Sequence, residues 1–318
     1  MGDSAPFASI RDRVEELSGV VMVIGGADTG KTSLARLLAE DAIKAGRTVA
    51  FIDGDVAAAT VGPAACVGLK FISGTGDLER LSEPDELRFV GSIEPNGVVL
   101  PHVVAVSALV DVARDEVDLT ILDTTGVVSG VVGQTLKYHI AELTKPDLVV
   151  AIGRGSELEP VIGMLRRFLS MRVAEAEPPE DMVPRGPVER QAARVDAFVK
   201  DLGIDPPKWR VQTTVFAPTL PVGFDVSRLD GMLVGVQDER GRCRGLGILE
   251  HQDGTVRVAT RHGDEMRGLR LGSLRVDPTT FATSRVRLRE PVSYTHLRAH
   301  ETNNSISYAV FCLKKGGG

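Results

Sequence analysis

Residues 25–32 read Gly25-Gly26-Ala27-Asp28-Thr29-Gly30-Lys31-Thr32, which fits G-x-x-x-x-G-K-[ST]. An apolar run, Val20 to Ile24 (VVMVI), precedes the octet, and Ser33 to Ala45 follows with helical spacing and a stop at Gly46. A strand, a glycine-rich turn and a helix in this order make a phosphate cradle. The glycines let successive backbone N–H groups converge, and the helix N-terminus adds partial positive charge. A lysine at position 31 reaches β- and γ-phosphates, and a hydroxyl at position 32 suits Mg²⁺. Gly25, Gly26, Ala27, Asp28, Thr29, Gly30, Lys31, Thr32 and Ser33 are therefore the expected contacts to a nucleoside triphosphate.

Acids follow where such a ligand would need them. Asp53 and Asp55 end the apolar run Thr48 to Ile52 in the stretch FIDGDV. Alternate residues of a strand share a face, so both carboxylates suit Mg²⁺ or an acceptor hydroxyl, or else cap a turn at Gly54. Asp123 ends a further apolar run, Leu119 to Leu122, as a metal-facing acid would, or caps the next helix. Thr124, Thr125 and Gly126 extend that edge toward phosphate or the metal shell. The guanine-reading N-K-x-D pattern is absent, as is a second lysine near the start of the glycine loop.

The elements that must hold these groups alternate. Strands are expected at 20–24, 48–52, 119–122 and 148–152, helices at 33–45, 103–115 and 131–144, and a short amphipathic segment over Ile10 to Leu17. That rhythm predicts an α/β fold of the P-loop NTPase kind, with a parallel sheet flanked by helices. Glu175 to Pro187 is rich in proline and charge, and Val188 to Leu202 regains helical spacing. Short apolar runs at 233–236, 246–249 and 256–259, separated by turns at Asp230-Gly231, Arg240-Gly241 and Asp253-Gly254, predict a small C-terminal β-rich domain. The expected divisions are an N-terminal segment (1–19), a P-loop domain (20–175), a lid (176–205) and the β-rich domain (206–291).

Composition narrows the setting. The 318 residues carry 37 basic and 43 acidic side chains, a net charge of −6, and three scattered cysteines, Cys66, Cys243 and Cys312. This excludes a disulfide scaffold and a four-cysteine zinc site, and fits a reducing cytoplasm. The most apolar stretch, Val98 to Ala113, is interrupted by Pro101, His102 and Asp111, so no membrane segment is expected. Residues 292–318 resemble the translation of a sequencing-library adapter, VSYTHLRAHET and then ISYAVFCL. The natural chain is expected to be 1–291, with a net charge of −8, because the tail holds three basic residues and one acid.

Further stretches carry a family resemblance: FVGSIEPNGVVLP (89–101), LDTTGVVSGVVGQTLK (122–137), PDLVVAIGRGSELEPVI (146–162), GLGILE (245–250) and GLRLGSLRV (268–276). With the P-loop and FIDGDV they resemble the polynucleotide 5′-hydroxyl-kinase family of RNA-processing complexes. The resemblance implies transfer of the γ-phosphoryl group of ATP, with Mg²⁺, to the 5′-hydroxyl end of RNA or DNA. The family's D-x-x-Q aspartate falls on Asp55, which it makes the general base. Its T-x-G-W clasp falls on Thr124-Thr125-Gly126, and its R-x-x-x-R lid on Arg190 and Arg194. The resemblance thus implies catalytic roles for Lys31, Asp55, Arg190 and Arg194, and metal-side roles for Thr32, Asp53, Asp123 and Thr124.

Two positions depart from the pattern: Ala58 replaces the glutamine and Val127 the clasp tryptophan. Neither is the metal ligand, the base or the P-loop lysine, so activity is the expectation. The departures leave open an ATP-loaded scaffold without turnover, and the fold alone leaves open a small-molecule kinase. Without the resemblance, the lid arginines read as a solvated helix face. Arg166, Arg167, Arg172, Arg185, Arg190 and Arg194 could form a local basic groove on an otherwise acidic body.

Overall fold

The computed structural model describes residues 7–179 and 183–286, so the adapter-like residues 292–318 lie outside the described residues. Helix α1 (Ala8–Glu15) and strand β1 (Gly19–Gly25) lead into α2 (Lys31–Lys44), β2 (Val49–Gly54), β3 (Cys66–Ile72), α3 (Thr75–Glu79) and β4 (Glu86–Phe89). Then come α4 (Val99–Ala113), β5 (Leu119–Thr124), α5 (Gly130–Thr144), β6 (Leu148–Ile152), α6 (Glu159–Leu169) and β7 (Val173–Ala176). Helix α7 (Pro187–Leu202) precedes β8 (Lys208–Val211), β9 (Met232–Gln237), β10 (Cys243–Gln252), β11 (Thr255–Ala259), β12 (Gly268–Val276) and β13 (Thr283–Arg285).

Five strands run parallel in the order β2-β5-β1-β6-β7. In β1 the side chains alternate between two cores, each strand face being buried, which is why the run VVMVI shows no polar alternation. Val20, Met22 and Ile24 join the core under α4, α5 and α6, whereas Val21 and Val23 join Leu34 and Leu38 of α2 and Ile10 of α1. Pro101 is accommodated in the first turn of α4, where no intrahelical partner for an N–H exists. None of the described helices is long and apolar enough to cross a membrane.

The sheet is mixed rather than wholly parallel. Strands β3 and β4 pair antiparallel beyond β2, and β10 joins β4 through the register Cys243↔Leu87. Neither β3 nor β4 was legible as a strand: Gly68 and Lys70 interrupt the first, and the second is four residues long. The edge of β2 is covered by β3, and β4 adds to β3 in turn. The carboxyl-terminal strands form a β-rich region of antiparallel pairs, β10 with β9 and β11, β9 with β12, and β12 with β13. Of the turns predicted from Asp-Gly and Arg-Gly pairs, those at Gly241 and Gly254 join β9 to β10 and β10 to β11, and the one at Gly231 leads into β9; all three glycines are at positive φ.

Helix α7 bridges the two parts. Its Phe198 and Leu202 are buried against Cys66 and Phe89 on one side and Leu233, Leu246 and Ile248 on the other. Burying one such aromatic side chain contributes about 2 kcal/mol, which fixes the carboxyl end of the helix.

Candidate active site

The loop between β1 and α2 is closed upon itself. Gly30 adopts φ +86°, a conformation that a side chain would strain, and so turns the chain into α2. Lys31 Nζ donates to the Gly26 carbonyl at 2.6 Å and Thr29 Oγ1 donates to the same oxygen at 3.1 Å. The lysine is 7 % exposed, its stem packed away and its ammonium resting where phosphate oxygens would replace the carbonyl. In the loop that follows β5, Gly126 comes so close that a Cβ on it would lie 2.9 Å from Ala27 Cα. The Thr124–Gly126 loop therefore abuts the phosphate cradle only because residue 126 lacks a side chain.

Parallel pairing of β2 with β5 sets Asp53 level with Asp123. The expected metal residues separate here. Thr32 Oγ1 donates to Asp123 Oδ2 at 2.5 Å, while Asp123 Oδ1 is buried with no hydrogen-bond partner among the described residues. A hydroxyl beside an unpartnered carboxylate oxygen is a hard-oxygen donor set that fits Mg²⁺. Burial and the neighbouring Asp55 push the Asp123 carboxyl upward, while Lys31 and Thr32 pull against that rise. A divalent cation would stabilise its ionised form.

Asp53 and Thr124 have other partners. Asp53 Oδ1 accepts from Asp55 N at 2.8 Å, and its Oδ2 accepts from Thr60 N and from Val61 N at 3.1 Å. Asp53 therefore shapes the loop that carries Asp55, although burial, Asp123 and Asp55 raise its pKa well above the ordinary range. Thr124 Oγ1 donates to the Val23 carbonyl at 2.7 Å and accepts from Lys137 Nζ at 2.8 Å. Lys137, fully buried on α5, also donates to the Thr125 carbonyl at 2.6 Å. Burial above all, with Lys31 adding to it, brings its pKa down to about 7 against the pull of Asp55 and Asp123. Sequence reasoning assigned Lys137 no role, yet a signal existed: it sits four residues after Gly133 and three before Ile140, both buried, on the inward face of α5.

Asp55 stands at the rim. Its Oδ1 accepts from Ala57 N at 3.0 Å and Ala58 N at 3.4 Å, and Oδ2 has no partner among the described residues. Together with Ala27 to Ser33, Thr125 to Val127, Ala57, Ala58 and Thr60, it lines a cleft of about 330 Å³. Val183, Arg185 and Arg190 close the other side. Arg190 Nη1 meets Asp28 Oδ2 at 2.8 Å. Arg194, the second arginine of the expected lid, is half-buried one turn further along α7 and does not line the cleft. Arg185, read from the sequence only as part of a general basic groove, does line it. Among the described residues, no group of three or more His, Cys, Asp or Glu is arranged to hold a metal ion.

Beneath the loop of Asp55, His102 of α4 places Nε2 2.8 Å from the Gly54 carbonyl. The carbonyl can only accept, so Nε2 carries the hydrogen, and Nδ1 is buried without a partner among the described residues. Burial, outweighing that hydrogen bond, lowers the His102 pKa to about 4. A group whose folded-state pKa lies below its unfolded value near 6.5 favours the fold above pH 6.5 and loses that contribution as pH falls toward 4. His102→Gln should therefore shrink the stability lost between pH 7 and pH 4.5 by about 2 kcal/mol. Urea unfolding at the two pH values measures this, and an unchanged difference would exclude His102 as the titrating group.

The family model described as "mRNA cleavage and polyadenylation factor CLP1 P-loop" matches residues 25–200. A polyribonucleotide 5′-hydroxyl-kinase of Pyrococcus horikoshii is 30 % identical, over 80 % of this chain and 85 % of its own length. A protein of the same name from Thermococcus kodakarensis is 27 % identical over 80 % and 88 %. Among solved structures, Clp1p in its complex with Pcf11p superposes with a TM-score of 0.64 at 14 % identity, covering 84 % of this chain and 77 % of that one, which is a likeness of fold. The matched segment runs from the phosphate cradle to the helix bearing Arg190, and with these relatives it makes the chain a member of the CLP1 P-loop family, the family of the polyribonucleotide 5′-hydroxyl-kinases.

Proposed function

We propose that this chain is an ATP-dependent transferase that moves the γ-phosphoryl group of ATP onto the 5′-hydroxyl end of a polynucleotide. The observation that carries the reading is the cleft itself. One wall is a phosphate cradle with Lys31 and Thr32, the other holds arginines, and a carboxylate with an open oxygen sits at its rim. The names of relatives that share most of the chain's length point the same way.

In this reading Lys31 leaves the Gly26 carbonyl for the β- and γ-phosphates, and the N–H groups of residues 27–32 surround them. Thr32 and Asp123 would hold Mg²⁺, which would supply charge neutralisation at the phosphate oxygens. Asp55 Oδ2 takes the proton of the 5′-hydroxyl as that oxygen bonds to the γ-phosphorus and the bond to the β-phosphate oxygen breaks, leaving ADP. Arg190 and Arg185 set permanent positive charge beside the transferring group, which their planar forks match in bidentate fashion. Asp53 and Thr124 act behind the site, one holding the Asp55 loop and the other anchoring the Thr124–Gly126 loop. Val127 lines the cleft where the family's tryptophan stands, so that wall is aliphatic rather than aromatic. Buried free thiols at Cys66 and Cys243 suit a reducing, cytoplasmic setting.

Incubating the chain with ATP, Mg²⁺ and oligonucleotides of RNA or DNA bearing a 5′-hydroxyl tests the proposal. Label should move from γ-labelled ATP to the 5′ end and not to an otherwise identical 5′-phosphorylated strand. ATP binding without transfer to either acceptor would overturn the kinase reading in favour of a nucleotide-loaded scaffold.

A further inference from the structure

Asp28 is an acid in a loop whose purpose is to hold anions. On electrostatic grounds a carboxylate there repels the triphosphate and should weaken binding. Its placement explains its presence. The residue adopts φ +54°, a left-handed conformation, and its Oδ2 receives Arg190 Nη1 at 2.8 Å across 162 residues of sequence. The Asp28 carbonyl is held from outside the cleft by Arg154 Nη2 at 2.6 Å. Among the described residues only one nitrogen of the Arg190 guanidinium has a partner, so its remaining donors are available to an anion.

The rest of α7 is secured at its other end. Phe198 and Leu202 are buried, Asp201 Oδ2 accepts from Leu246 N at 2.8 Å, and Lys200 Nζ donates to Ser82 Oγ at 2.6 Å. The beginning of the helix has no such apolar anchor: Pro187, Val188, Glu189, Gln191, Ala192 and Ala193 are all exposed. Among the described residues, Arg190–Asp28 is the ion pair that ties this half of α7 to the P-loop.

We infer that Asp28 is a positioning residue for phosphoryl transfer: it holds Arg190 at the cradle so that the guanidinium meets the γ-phosphoryl group already oriented. The inference rests on the function proposed above. The cost in nucleotide affinity is offset by ordering a long side chain before the reaction, when misplacement is expensive in rate. Carboxylate and phosphate can share one guanidinium, since its five N–H donors point in different directions.

A double-mutant cycle in the full chain tests this. Asp28→Asn suits the left-handed backbone and removes the charge; Asp28→Gly is the second variant should the first not fold. Asp28→Asn should lower kcat by about tenfold while KM for ATP stays level or falls. Arg190→Ala should lower kcat further, and the double variant should be no slower than Arg190→Ala alone. Hydrogen exchange at residues 188–194 in ATP-free protein should quicken in Asp28→Asn. Unchanged or faster turnover in Asp28→Asn, or losses that multiply in the double variant, would overturn the inference. A wild-type chain without transfer activity would refute the function instead. Exchange would still decide the contact, since unaltered protection in Asp28→Asn removes it.

Discussion

Replacing Asp55 by asparagine is expected to cut kcat for 5′ phosphorylation by about 10²–10⁴ while leaving ATP affinity close to wild type. Asparagine keeps the size of the side chain and can still accept from Ala57 N and Ala58 N, so the loop conformation is retained. What it loses is the capacity to take a proton at the second oxygen. The loss should appear in kcat and not in the KM for ATP, because no cradle contact depends on Asp55. Steady-state kinetics with labelled ATP and a 5′-hydroxyl oligonucleotide make the comparison. A variant as fast as wild type would show that the acceptor gives up its proton elsewhere.

Lys31→Ala should abolish detectable transfer and weaken ATP binding together. The ammonium is the one side-chain cation built into the cradle itself, and its 2.6 Å contact with the Gly26 carbonyl occupies a place that phosphate oxygens would take. Loss of one preorganised charge facing a developing anion costs on the order of 10²–10³ in rate, and here ground-state binding falls as well. The stem is buried, so Lys31→Met, which keeps that packing, separates lost charge from lost volume. Calorimetric titration with ATP and the same transfer assay read both quantities. Retention of wild-type binding by both variants would refute the assignment of the cradle.

Local pattern was enough for the nucleotide half of the site. An apolar run, a glycine octet and an amphipathic helix occupy consecutive positions, and each depends on neighbours a few residues away. The same holds for the parallel strands buried on both faces and for the hairpin turns at Gly241 and Gly254. Strand β3 escaped because its identity rests on the edge that β2 supplies, and β4 because its alternation extends over only four residues.

The acids and cations are told apart only in the folded structure. Asp53, Asp55, Asp123 and Thr124 look equivalent along the chain, each being a polar residue at the end of a strand. Packing distinguishes them: Asp53 is enclosed by the turn at Thr60 and Val61, Thr124 is engaged by Lys137, Asp123 keeps one bare oxygen, and Asp55 remains at the rim. Arg190 and Arg194 share a helical spacing, but only the first reaches the cleft, because buried Phe198 fixes how α7 lies. Sequence alone therefore settled that a phosphate cradle exists and which strand ends border it, since those follow from local periodicity and backbone sterics. The enclosure of Asp53 comes from a turn seven and eight residues on, but which carboxylate sits beside Thr32 and which acid meets Arg190 depend on contacts 91 and 162 positions apart. Such contacts come into being only when the strands pair and α7 docks.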